Sequence, residues 1–325
     1  MLSSGHCYAK YAALHDTRGQ ILRHNRILAY IDAVARAGSI RKAAEHLSLT
    51  ASALNRRIQD FEEDLGTPIF ERLPRGVRLN AAGELVIRHV RSQRADLDKL
   101  QSQIADLSGA RRGHVAIACS HAAAYTLLPR EIGAYRAAFP AVTFSVMVLD
   151  HIRAQKALSD FSVDLVLVFE PGVQAELQVL YVLDEPLYAI AARDHLALQQ
   201  PVVRLRDCME YPVVLPDRSF GGRHLLELAL QQRMIKLNTV IESNSFEMLR
   251  NYVLTENAIT FQTLHGAPLD EHDRLIARPV DERDVAPGRL VLGQLRGRIL
   301  PVAAAKFADQ LARRLDNHRT DIGGT

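Results

Sequence analysis

The chain has 325 residues, 48% of them hydrophobic and 24% charged, the composition of a soluble protein with room for two or three cores. No apolar run approaches the length that crosses a bilayer, and the opening MLSSGHCYAKYAALHDTRGQ lacks the continuous apolar centre of a secretion signal, which excludes a membrane protein and points to the cytoplasm. The net charge of +3 hides a division: basic residues outnumber acidic ones 13 to 8 between Arg23 and Arg94, whereas acidic outnumber basic 28 to 25 from residue 95 onward, so the N-terminal part is the one suited to a polyanion.

Residues 1–22 show no sustained period and read as a poorly ordered extension or an upstream start. A helical pattern begins at ILAYIDAVARAG, with Ile27, Leu28, Ile31 and Val34 on one face and Gly38 at the stop position. Ser39 is placed to cap a second helix, IRKAAEHL, whose Ala43, Ala44 and Leu47 point inward. After the turn SLT, ASALNRRIQDFEEDLG supplies a third helix with Leu54, Ile58, Phe61 and Leu65 as its expected buried stripe. TPIFERLPRGVRLN then reads as a short β-hairpin, a wing around a Pro-Arg-Gly turn. Asn80 caps a long helix from Ala81 to about Leu107, where Val86, Val90, Leu97, Leu100, Ile104 and Leu107 repeat at a/d spacing with Gln93 as the polar member, the pattern of a helix that zips to a second copy. SGARRG at 108–113 is a linker. Beyond it HVAIACS, VTFSVMVL, VDLVLVF, LYAIAA, YPVVLP, NTVIES and AITFQT are apolar runs of strand length, separated by helical stretches such as LLPREIGAYRAAF and SFEMLRNYVL. Such alternation predicts an α/β sheet, mostly parallel, as one doubly wound domain or as two smaller ones joined by crossovers.

Two short helices joined by a three-residue turn have the dimensions of a helix-turn-helix, with Ala43 and Ala44 where the helices approach. The second of them would then enter the major groove, with Thr50, Ala51, Ser52, Asn55 and Arg56 exposed near its start. Ser39, Ser48, Thr50 and Ser52, together with the free N–H groups of helix starts, are suited to phosphate oxygens. Asn55 matches adenine N6 and N7, and Arg56 matches guanine O6 and N7. Arg57 suits a phosphate, and Arg72, Arg75 and Arg78 on the wing suit the adjacent backbone or the minor groove. The plainer reading is an amphipathic bundle with solvated arginines; the wing, the local charge and the zipper favour DNA over it.

At this point the chain resembles a known family. GSIRKAAEHLSLTASALNRRIQDFEEDLGTPIFERLPRGVRLNAAGE is similar to the winged helix-turn-helix of LysR-type transcriptional regulators over about 45 residues, and GHVAIACS, LLPREIGAYRAAFPAVTFSV, VDLVLVF and AITFQT extend the likeness more weakly to about Leu315. Family members commonly have Gln-Pro where this chain has Ala51 and Ser52, a departure that removes a base-reading amide and shifts the task to Asn55 and Arg56. The resemblance implies an α + α/β fold: a winged helix-turn-helix at 23–80, a dimerisation linker helix at 81–110, a C-terminal helix and tail at 303–325, and between them, at 113–302, a type 2 periplasmic-binding-protein-like effector domain. Its subdomain I is expected at 113–186 and 266–302, and subdomain II at 187–265. It also implies a non-enzymatic homodimer or homotetramer, bound to double-stranded DNA at a dyad-symmetric promoter site, with RNA polymerase as a partner if it activates. A small organic acid is the expected effector, with no other cofactor.

In open α/β sheets ligands sit beyond the carboxyl ends of strands, where helix starts offer N–H groups to anions. The strand ends give Ser120, His121, Asp150, His151, Glu170, Asp217, Ser219, Ser243, Asn244 and Ser245, with Ser120 and Ser245 favoured because each starts a helix; capping explains each of them singly as well. Ser120 with Asp150-His151 contains the residue types of a hydrolase triad, but no GxSxG elbow is present. His114, Cys119, His121 and His151 lack the spacing that marks a metal site. Cys7, Cys119 and Cys208 are far apart in sequence and form no CxxC, which suits reduced thiols.

Overall fold

The computed structural model describes residues 26–107, 112–169, 172, 175–268 and 274–322; the extension expected at 1–22 lies outside them. The chain divides into two compact units, Met1–Leu97 and Asp98–Thr325.

In the first unit three helices, α1 (26–37), α2 (Ile40–His46) and α3 (Ala51–Leu65), are followed by the antiparallel hairpin of β1 (Phe70–Leu73) and β2 (Gly76–Leu79) and by the first part of α4 (Ala81–Leu107). Side-chain caps set the helix starts. Ser39 Oγ accepts from the Lys42 N–H at 3.4 Å, Thr50 Oγ1 from Ala53 at 3.2 Å, and Asn80 Oδ1 from Gly83 at 2.8 Å. Val34, Ala43, Ala44, Leu54 and Ile58 close one small core, and Leu28, Ile31, Ile69, Ile87 and Val90 close the second. The wing docks on the α1–α2 turn through the Val77 N–H, which donates to the Gly38 carbonyl at 2.9 Å. That approach requires Gly76: its φ is +130°, and a Cβ there would stand 2.3 Å from the Gly38 carbonyl oxygen.

Two details of the expected pattern shift. Leu65 is exposed and Phe61 only half-buried, so the inward stripe of α3 is essentially Leu54 and Ile58. Val90 is buried with Ile87 in the winged core, so the outward apolar stripe of α4 begins only after it, at Leu97, Leu100 and Ile104, which are 53%, 51% and 57% exposed. Helix α4 turns its inner face with a period of 3.6 residues, and the winged core takes the first two turns of that face.

Asp32 is the buried charge among the described residues of this unit. Its carboxylate accepts from Arg91 Nε and Arg36 Nε, both at 2.9 Å, and so clamps α1 to α4. Replacing Asp32 with alanine leaves Arg91, which is largely buried, without this partner. The expected loss is about 2–4 kcal/mol of stability in this unit, read as faster amide exchange in α1 and α4; unchanged exchange there contradicts the clamp.

Among the described residues the second unit contains a five-stranded sheet and a second layer made of a three-stranded and a two-stranded sheet. In the first, the order is β4 (Val142–Val148), β3 (Gly113–Cys119), β5 (Leu165–Phe169), β12 (Gly288–Leu295) and β6 (Leu177–Glu185). β3 runs parallel to β4 and β5, whereas β12 is antiparallel to β5 and β6. Helices α5 (His121–Tyr125), α6 (Leu127–Ala138) and α7 (His151–Ser159) connect its first strands, and α10 (Val302–Ile322) returns to it, seating Phe307, Leu311 and Leu315 in the core with Ile117, Leu165 and Leu292. β5 reads LVLVF because it is buried on both faces.

The second layer is built from β10 (Thr260–Thr263), β7 (Leu187–Ala192) and β11 (Leu275–Pro279), with β7 antiparallel to both neighbours, and from the parallel pair β8 (Pro212–Pro216) and β9 (Asn238–Ser243), carrying α8 (Gly221–Arg233) and α9 (Phe246–Thr255). Hydrogen bonds between β8 and Ile259, just before β10, join the two groups. The five-stranded sheet is therefore mixed rather than mostly parallel, and in the second layer the three-stranded sheet is antiparallel and the two-stranded one parallel. The expected return at 266 is also corrected. β11 pairs with β7, so Leu275–Pro279 belong to the second layer, and the chain rejoins the first sheet at Gly288. Among the described residues no helix is long and apolar enough to cross a membrane.

Candidate nucleic-acid interface and effector cleft

The start of α3 presents Thr50, Ala51 and Ser52, all exposed, with the Thr50 and Ser52 hydroxyls 3.3 Å apart. Ser48 precedes them in the tight turn at φ +54°. One turn further on, Asn55 Nδ2 donates to Gln59 Oε1 at 3.1 Å, and Arg72 Nη2 on the wing donates to Asn55 Oδ1 at 3.2 Å. The amide is thus held between the recognition helix and the wing. Arg56 is exposed and has no partner among the described residues. The other basic residues differ from it. Arg57 donates to the Tyr30 hydroxyl at 2.8 Å and lies over that ring, and Arg78 pairs across the hairpin with Glu71 at 2.7 Å. Arg75 is exposed at the wing tip. Ser39 is spent largely on capping α2.

In the second unit a cleft of about 380 Å³, its open mouth included, is lined by residues of both layers. Ser120, His121, Asp150, His151 and Ser219 of the sequence candidates reach it; Ser243 and Ser245 do not, and Glu170 lies outside the described residues. Ser245 Oγ caps α9 by accepting from Met248 N, and Ser243 Oγ accepts from Ser245 N, so this pair closes its own turn. Asp150 caps α7 through Arg153 N at 2.8 Å, with the Arg153 side chain 3.4 Å away. Ser219 donates its N–H and its hydroxyl to Asp217.

The cleft also has polar groups that the strand-end reading missed. Helix α8 begins at Phe220-Gly221-Gly222 without a side-chain cap, and its first N–H groups border the cleft. Gly221 fits there because a Cβ would stand 2.3 Å from the Phe169 ring. Beside it the Thr263 hydroxyl, at the end of β10, is buried to 1% exposure with no hydrogen-bond partner, an exception that a ligand acceptor or donor would resolve. Across the cleft the His121 ring stacks on Phe220 with centroids 4.4 Å apart and planes inclined by 24°. Burial of the imidazole holds the pKa of His121 below its ordinary value, against an opposing pull from Asp217. The signal available in the sequence was the Gly221-Gly222 pair opening a helical run, with Phe220 rather than Ser, Thr, Asp or Asn at the cap position.

Comparison with known proteins places these two sites in one context. The profile of the LysR substrate binding domain matches residues 108–316, and that of the bacterial regulatory helix-turn-helix protein, lysR family, matches residues 26–84. The chain belongs to the LysR family of transcriptional regulators. It is 30% identical to the HTH-type transcriptional regulator CbbR of Sinorhizobium medicae over 82% of this chain and 81% of that one. In fold it is similar to full-length OxyR from Pseudomonas aeruginosa, with a TM-score of 0.65 at 18% identity over 90% and 94% of the two chains, and to full-length CbnR complexed with its target DNA, with a TM-score of 0.61 at 19% identity over 90% and 99%. This regulator is therefore a DNA-binding, effector-binding protein and not an enzyme.

The two cysteines among the described residues are built for packing. Cys119 and Cys208 are buried in separate cores, and burial pushes both up to about 12. At neutral pH neither supplies thiolate, the reactive form, so the native chain is expected to leave both unlabelled by a maleimide over minutes.

Proposed function

We propose that this LysR-type regulator acts in the cytoplasm, binds a dyad-symmetric promoter site as a homo-oligomer, and changes transcription when a small organic acid occupies the cleft of its effector domain. In this reading the Ser48, Thr50 and Ser52 hydroxyls and the start of α3 dock on phosphate, Asn55 and Arg56 read bases, and Arg72 and Arg75 hold the wing to the backbone. Arg57, anchored to Tyr30, and Arg78, paired with Glu71, contribute less. The outward stripe of Leu97, Leu100 and Ile104 supports a helix-to-helix dimer contact. CbnR, similar in fold, is described with its target DNA, which supports double-stranded DNA as the partner. RNA polymerase joins the list of partners if the regulator activates.

The observation that carries the effector part is the cleft itself: the uncapped start of α8 faces it beside the unpartnered hydroxyl of Thr263, with Ser120 opposite. N–H groups and hydroxyls lining one cleft suit a carboxylate. Footprinting on the DNA flanking its own gene tests the whole proposal. Two protected half-sites related by a dyad, whose pattern changes when a cognate acid is added, support it; uniform coverage without a dyad makes it a nonspecific DNA-coating protein instead.

A further inference from the structure

The charges around the cleft are unevenly matched to an anion. No lysine or arginine is among the described residues that line it, Asp150 is there as a carboxylate, and Asp217 stands behind Ser219. The start of α8 supplies about half a positive charge, less than one carboxylate needs and far less than a doubly charged group. The side chains in the lining that can gain a full positive charge are the imidazoles of His121 and His151.

His121 is the better placed of the two. It starts α5 beside Ser120, and its ring lies against Phe220, the residue immediately before the free N–H groups of Gly221 and Gly222. An anion seated on those N–H groups and on Thr263 is then next to the imidazole. The titratable groups around His121 are Asp217 on the β8–α8 loop and Asp150 and His151 on α7; on the far side of α5, behind Ala122, lie His265 and its contact Glu185. We infer that a doubly charged small anion binds this cleft together with one proton taken up by His121, so that effector binding and proton uptake are a single event. The inference rests on the cleft being the effector site proposed above.

The sign follows from the two states. In the free cleft His121 is neutral at pH 7, since burial holds it below the usual histidine range. A bound dianion raises it, so binding consumes a proton, and affinity falls by about tenfold per pH unit as pH rises between the free and the liganded pKa values.

Sulfate is the probe, because it stays doubly charged across the range. Calorimetric titration of the full-length chain with sodium sulfate, from about pH 5.5 to about pH 8 and in buffers of different ionisation enthalpy, is expected to show uptake of about one proton and this loss of affinity with pH. H121Q is expected to bind sulfate at the weak, high-pH level throughout, and T263V to lose it. Sulfate binding that T263V abolishes but that does not vary with pH, or a pH dependence that survives in H121Q, overturns the proton coupling and leaves the cleft reading standing. Absence of sulfate binding, or binding indifferent to T263V, overturns the proton coupling and the anion-cleft reading together.

Discussion

An Arg56→Ala variant is expected to lose its operator while keeping its fold. Arg56 lies on the exposed face of α3, and no side chain among the described residues leans on it, so its removal leaves the packing of Leu54 and Ile58 untouched. A bidentate contact to guanine is worth about 1–3 kcal/mol of discrimination, and a dimer loses it in both half-sites, so specific binding is expected to weaken roughly 30-fold or more. Binding to a scrambled duplex should fall far less, because that affinity comes from phosphate neutralisation spread over several basic residues. Fluorescence anisotropy with both duplexes at one fixed salt concentration reads the ratio, and an unchanged ratio removes Arg56 from base recognition. Arg57→Ala is the informative comparison: its guanidinium is held on Tyr30, so the expected cost is smaller and independent of sequence.

The second large effect is expected from Leu97→Glu combined with Leu100→Glu. Both leucines are about half exposed on the outward face of α4, beyond the segment that Ile87 and Val90 fix in the winged core, so the substitutions spare that core. Glutamates on a helix-to-helix seam place like charges against one another and remove its apolar area. Sedimentation should show a monomer. Because two winged domains on one duplex gain an effective concentration from their linkage, affinity for the dyad should drop by about 10²- to 10⁴-fold, with single half-site binding little changed. A variant that stays oligomeric places the assembly contact elsewhere in the chain.

Much of this was legible in the sequence for local reasons. Ser39, Thr50 and Asn80 announce helix starts because a side-chain oxygen caps the N–H groups that lie within three residues of it. The wing is readable because its strands and its turn are contiguous. What depends on pairing between distant segments was not. Nothing in LIARP says whether it joins β7 or the first sheet, which is why the return to that sheet was placed too early. Val90 sits at heptad spacing, yet it packs into the winged core with Ile69 and Ile87, and that burial wins. In the cleft, Ser120, His121, Asp150 and Ser219 stand at strand ends and could be named. Thr263 also closes a strand run, AITFQT, but nothing in the sequence marks its hydroxyl as unpartnered, and Gly221 gains its meaning only from the closeness of Phe169.

The central claim is that this regulator meets DNA through α3 and the wing. Hydrogen–deuterium exchange of the full chain, free and bound to a promoter duplex, tests it most directly, because every segment reports in one experiment. Slowed exchange is expected over residues 48–57 and 70–79, the start of α3 and the hairpin, with the sheets of the second unit unchanged. Protection confined to those sheets, with residues 48–57 exchanging as fast on DNA as off it, would place the DNA contact elsewhere in the chain.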